Sequence, residues 1–105
     1  MVDAAARTAA VELPDEVRAF ICREITRANA FVHALQLLRA ALPQAHLSVK
    51  RRAGDRDEPV WLVARGAFDS ATVMVDQLEE LQAAFRKARG RGWDSSVMLD
   101  LRRER

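Results

Sequence analysis

Cys22 and His33 are the residue types from which nucleophilic catalysis is built, because an imidazole can activate a thiol. Their spacing argues against a dyad. On one continuous helix they share a face, but at ~1.5 Å per residue they stand roughly 16 Å apart, beyond hydrogen-bond reach. Cys22 then reads as a small, partly buried hydrophobe. Two histidines and one cysteine match no metal-ligand spacing, so neither a metal nor another cofactor is expected. His46 is expected to be exposed at the start of a strand. Asp94-Ser95-Ser96 offers hydroxyls without a histidine beside them in sequence, and reads as turn chemistry before a strand. Gly90-Arg91-Gly92 is too short for a phosphate loop and follows a helix, whereas phosphate loops precede one. With no catalytic residue to name, the expectation is that the chain is not an enzyme.

Cations make a better candidate site. Lys50, Arg51, Arg52 and Arg56 surround a polar turn, and Arg86, Lys87, Arg89 and Arg91 follow in or just beyond a helix end. Together they suit phosphates, and Trp61 or Trp93 would offer a base a surface to stack on. Asp55, Asp57 and Glu58 in the same turn dilute that charge. Arg51 and Arg52 are expected at an exposed strand end, where substitutions usually change stability by no more than ~0.5 kcal/mol. Trp93 lies in a loop after Gly92, where a tryptophan either caps a core or anchors a protein contact.

The elements that would carry these residues follow from the hydrophobic periodicity. Met1 to Glu12 reads as a flexible tail with little to bury, a helical turn being the alternative within it. From Pro14 to Leu42, apolar residues recur with helical spacing at Val17, Phe20, Ile21, Ile25, Ala28, Phe31, Leu35 and Leu38. Arg18, Arg23, Arg27 and Arg39 take the opposite face. Pro14 suits the first helical position, and Pro43 ends the run. His46 to Arg52 alternates as a strand, Gly54-Asp55 turns the chain, and Val60 to Arg65 returns as the more central strand of an antiparallel hairpin. A second helix runs from about Ala71 to Gly90, capped by Asp69 or Ser70, with Met74, Val75, Leu78, Leu81 and Phe85 along one stripe. A shorter helix with a strand at Thr72–Val75 competes with it. Ser95 to Leu101 alternates again as a third strand.

The expected fold is α+β in the order α-β-β-α-β, two helices on a small antiparallel or mixed sheet. The domain covers 13–101, with a flexible tail at 1–12 and a basic tail at 102–105. With 105 residues, half of them hydrophobic, the chain is long enough for one core without a disulfide, which a lone cysteine cannot form within the chain. A net charge of +2 does not by itself imply nucleic acid. No stretch suits a membrane helix or a signal peptide, so a cytoplasmic bacterial protein is the simplest expectation.

Leu38 to Val63, with Pro43, His46, Ser48 and Val49 in a helix–proline–strand–turn–strand order, resembles the small DNA-damage regulators of the DinI type. That resemblance implies binding to a recombinase filament. It covers about a quarter of the chain, and the longer first helix and the last strand depart from the pattern, so no functional residue is carried over. The function expected is that of a non-enzymatic interaction module, a regulator, adaptor or inhibitor that binds another protein. The alternative is a nucleic-acid-binding regulator using the cations above. A straight helix over Pro14–Leu42 would be about 42 Å long and would overhang a domain of this size. The overhang predicts a homodimer through Phe20 and Ile21, with Trp93 as a further protein contact. The competing expectation is a break near Thr26–Asn29.

Overall fold

In the computed structural model, which describes residues 2–51, 58–89 and 96–104, the N-terminal segment is folded rather than frayed. Val2–Thr8 forms a helix, α1, with Val2 and Ala6 buried. It ends in a Schellman motif: Val11 N–H donates to Ala6 O at 2.8 Å and Ala10 N–H to Arg7 O at 3.1 Å. Ala10 takes the left-handed conformation this cap requires, with φ at 56°. No glycine marks the position, and alanine runs of this kind carry no helical stripe, so the cap was not readable.

The continuous helix expected over Pro14–Leu42 is broken at Arg23 and Glu24. Asp15–Cys22 forms α2 and Ile25–Ala41 forms α3. Glu24 separates them in an extended conformation, φ −131° and ψ 131°. The break falls just before the weak helix formers at Thr26–Asn29. Its physical reason is burial. The fold measures 38 × 29 × 27 Å, too short to cover a straight helix of that length on both ends. Folding α2 back places Phe20 at 6% exposure and Ile21 at 0% inside the chain's own core. The overhang that predicted a dimer is therefore absent, and neither side chain is offered to a partner.

Arg27 stitches the break. Its guanidinium donates to Phe20 O at 2.6 Å, satisfying a carbonyl that the end of α2 leaves orphaned, and to Ser96 Oγ at 3.1 Å. Arg39 does the same at the other end of α3. It donates to Pro43 O at 3.1 Å, to Ala45 O at 2.8 Å and to Ala9 O, which ties the cap of α1 to the turn after α3. Both arginines have the helical spacing of a solvated face. They sit there on the helical wheel, but their long side chains return to bare carbonyls.

His46–Lys50 (β1) and Val60–Gly66 (β2) pair antiparallel, as the alternation predicts. Ala71–Arg89 forms α4 without a strand at its start. Ser70 is its cap, accepting from Val73 N–H at 3.2 Å. Val97–Arg103 (β3) then pairs parallel to β2, so the sheet is mixed, in the order β1-β2-β3 with β2 central. The class is α+β, and the full order is α-α-α-β-β-α-β.

The register sets which residues meet. Val49, Leu62 and Leu99 form one row across the sheet, and Leu47, Ala64 and Leu101 another. Strand alternation puts both rows on the same face, and all six side chains are buried. Phe31, Leu35 and Leu38 of α3, all at 1% exposure or less, cover them. α4 contributes Leu81 and Phe85, and the Phe85 ring meets His33 of α3 edge-on at 5.8 Å. Its stripe is only partly used: Met74 and Leu78 are half-buried, while Val73 and Val75 stay about half exposed. The described helices thus pack on one face of the sheet.

Candidate functional site

The opposite face of the sheet carries the other half of every strand. The same register gives three rows there: Lys50–Trp61–Met98, Ser48–Val63–Asp100 and His46–Arg65–Arg102. These side chains alternate with the buried core rows, so they point away from the helices. Apolar groups occupy the centre. Val63 is buried, and Trp61 and Met98 are half-buried. Lys50, His46, Arg65 and Arg102 are exposed around them. A depression of about 450 Å³ lies on this face, lined by Lys50, Arg51, Glu58, Trp61, Asp100 and Arg102 among others. A second depression, at the far end of the strands, is lined by Arg65, Arg102, Arg103 and Glu104.

The charges on this face are organised. Asp100 Oδ2 accepts from Arg102 Nε at 2.9 Å, while its other oxygen accepts from Leu101 N–H at 3.0 Å. The Arg102 side chain remains 66% exposed, with its terminal nitrogens beyond that ion pair. Arg51 is fixed differently. Its Nε donates to Glu58 O at 3.2 Å, and its Cζ lies 3.8 Å from the centroid of the Phe20 ring. It is half-buried, not the exposed strand-end residue that its sequence position suggests.

The cations singled out in the sequence do not form one cluster. Lys50 and Arg51 sit at the β1 edge. Arg86 and Lys87 are exposed near the end of α4, and Arg86 lines a crevice beside Met98 on β3. Two strand spacings, about 10 Å, separate Lys50 from Met98. The two groups therefore flank the sheet face from opposite edges. Arg89 closes α4. Arg52, Arg56, Arg91 and Trp93 lie outside the described residues. Arg65 and Arg102 belong to the face but lie outside the clusters that stand out along the chain, and Arg103 joins them only at the end of the strands. Strand parity puts Arg65 on the same side as Trp61, and register adds Arg102 beside it.

The tempting catalytic pair is not assembled. Cys22 is the exposed last residue of α2, which corrects the expectation of a partly buried side chain. His33 stands in the middle of α3 against Phe85, and no hydrogen bond joins the two. Ser96 Oγ is engaged by Arg27. Asp94 and Ser95 lie outside the described residues. Among the described residues, no group of three His, Cys, Asp or Glu side chains could hold a metal ion. No described helix is long and apolar enough to cross a membrane.

One larger concavity, about 600 Å³, runs between α1 and α3 and is lined mainly by Ala4, Ala5, Ala9, Val32, Leu35 and Ala40. A ligand site needs a few polar groups converging on its occupant. Here the Thr8 hydroxyl is bonded to Ala4 O and the Arg39 guanidinium is spent on main-chain carbonyls, which leaves Gln36 as the one remaining polar side chain of the lining. The sheet face, with exposed charged side chains around an indole, is the better site. Comparison with protein-family models, with curated proteins and with solved structures returns no match, so these residues stand on their own geometry.

Proposed function

We propose that the chain is a non-enzymatic binding module that presents to another macromolecule the sheet face that no described helix covers, as a regulator, adaptor or inhibitor would. One observation carries this reading: the cross-strand rows place Trp61, Val63 and Met98 side by side, flanked by Lys50 on one edge and by Asp100, Arg65 and Arg102 further along the strands. An apolar patch that includes a tryptophan and a methionine, flanked by a polar rim with arginine, is the usual anatomy of a binding surface. Phe20 and Ile21, which first suggested a protein interface, are spent on the core. The sheet face takes their place.

Site-specific photocrosslinking tests the surface without assuming the partner. A photoreactive residue replaces Met98 in one variant and Val73, exposed on α4, in another. Both are irradiated in lysate of the source cells, and the adducts are sorted by protease and nuclease sensitivity. Adducts formed from position 98 and not from 73 support the sheet face. Adducts confined to position 73 overturn it.

A further inference from the structure

We propose that the occupant of the sheet face is single-stranded nucleic acid, with a base stacked on Trp61 and phosphates held by Lys50, Arg65 and Arg102. This rests on the sheet face being the binding surface.

Base recognition needs a π-surface that an unpaired base can reach. Trp61 provides one: it is half-buried near the start of the central strand β2, held between Lys50 on β1 and Met98 on β3, and no described helix packs over it. Stacking of this kind tolerates any base, because every base has a π-face. Phosphate recognition needs cations at a distance from that ring rather than on it. Arg65 lies four residues along β2 from Trp61, about 13 Å at the strand rise, on the same face. Arg102 is its direct neighbour across the sheet. The ion pair with Asp100 uses Arg102 Nε, the side chain is 66% exposed, and a guanidinium's terminal nitrogens are the fork that takes a phosphate. Lys50 lies beside Trp61 itself.

Charge at the sheet adds to this. Acids and cations nearly balance on the helices, where Asp3, Asp15, Glu16, Asp76, Glu79 and Glu80 are offset by Arg7, Arg18, Arg27, Arg39, Arg86, Lys87 and Arg89. Among the described residues, the depressions on the sheet face and at its end are lined by Lys50, Arg51, Arg65, Arg102 and Arg103 against Glu58, Asp100 and Glu104. That excess favours a polyanion. An acidic peptide would meet the same cations, but it has no group that calls for the indole. Duplex DNA or RNA would keep its bases inside the stack, out of reach of Trp61.

Fluorescence anisotropy of a labelled mixed-sequence 12-nucleotide strand, as DNA and as RNA, tests this with the full chain. At 50 mM salt either strand binds. Raising salt to 200 mM weakens binding by roughly 20-fold if three phosphates are contacted. Trp61→Ala weakens it by about tenfold or more, with circular dichroism unchanged. Lys50→Ala combined with Arg65→Ala weakens it and flattens the salt dependence. Val73→Ala with Val75→Ala, on α4, leaves it as it was. Blunt duplex of the same sequence and polyglutamate bind at least tenfold more weakly than the strand. No retention of either strand at 50 mM salt overturns the proposal, and so does binding indifferent to Trp61→Ala. Polyglutamate binding as tightly as the strand overturns it in favour of an acidic protein partner. In each of those cases protein adducts from position 98 would leave the binding surface standing, so the two failures are distinguishable.

Discussion

The guanidinium of Arg51 lies over the ring of Phe20, its Cζ 3.8 Å from the ring centroid, and so locks the end of β1 to the last turn of α2. Arg27 approaches the same ring at 3.9 Å. Two guanidiniums can come this close to one centroid only from opposite faces, so Phe20 is sandwiched. The ring faces are the negative part of its quadrupole, and partly desolvated cations gain most from them.

Arg51→Ala is expected to cost about 1 kcal/mol, above the ~0.5 kcal/mol of an ordinary surface change. Urea denaturation of a double-mutant cycle with Phe20→Leu isolates the contact. A coupling energy of about 0.5–1 kcal/mol is expected. Zero coupling would mean that the stack contributes nothing to folding.

Periodicity made most of the architecture legible. The hairpin, the central place of β2, α4 from Ala71 and the last strand all follow from the switch between spacings of 3.6 and 2. What was not legible had long-range causes. The break at Glu24 exists because Phe20 and Ile21 gain more by folding into the core than a straight helix gains from unbroken hydrogen bonds. Nothing local announces it, and Arg27, which repairs it, has the spacing of a solvated residue. Parity along β2 already puts Arg65 on the face of Trp61, but the pairing of β3 with β2, which sets Arg102 beside Arg65, is a tertiary fact. Lys50 stands out because it is near the hairpin in sequence, whereas register, not proximity along the chain, brings Arg65 and Arg102 together.

Arg39 holds two separated stretches of backbone together through three carbonyls, Pro43 O and Ala45 O in the turn after α3 and Ala9 O at the cap of α1. Removing the guanidinium leaves these carbonyls without their charged donor, and hydrogen bonds to charged groups are worth about 1.5–3 kcal/mol. Arg39→Met keeps most of the aliphatic packing and is expected to lose about that much. Hydrogen exchange should also speed up at Ala10 and Val11, where α1 is capped. Exchange that accelerates uniformly over the chain, with no preference for α1, would separate Arg39 from the cap.

Ala10 pays a steric cost for its φ of 56°, because its Cβ crowds the backbone there. Ala10→Gly is expected to stabilise the chain by about 1 kcal/mol, after allowing for the greater freedom of glycine in the unfolded state. Ala10→Val should destabilise it, since a β-branched side chain is strained further at positive φ. The order of melting temperatures, Gly above Ala above Val, is the check. A glycine variant that melts below the parent would show that α1 ends without this cap.

Ile21 decides between a core and an interface. In this fold it has 0% exposure within a single chain, whereas Val75 on α4 has 47%. A carboxylate at position 21 would be buried without a partner, which ranks among the most damaging substitutions. Ile21→Asp is therefore expected to unfold the chain, or to destabilise it by more than about 3 kcal/mol. Val75→Asp should stay within about 0.5 kcal/mol of the parent, as exposed positions do. An interface residue behaves otherwise: Ile21→Asp would then yield a folded, smaller species. Circular dichroism with light scattering separates the outcomes. A well-folded Ile21→Asp chain at 11.8 kDa, derived from a heavier parent, would return Ile21 to the surface and α2 to a partner.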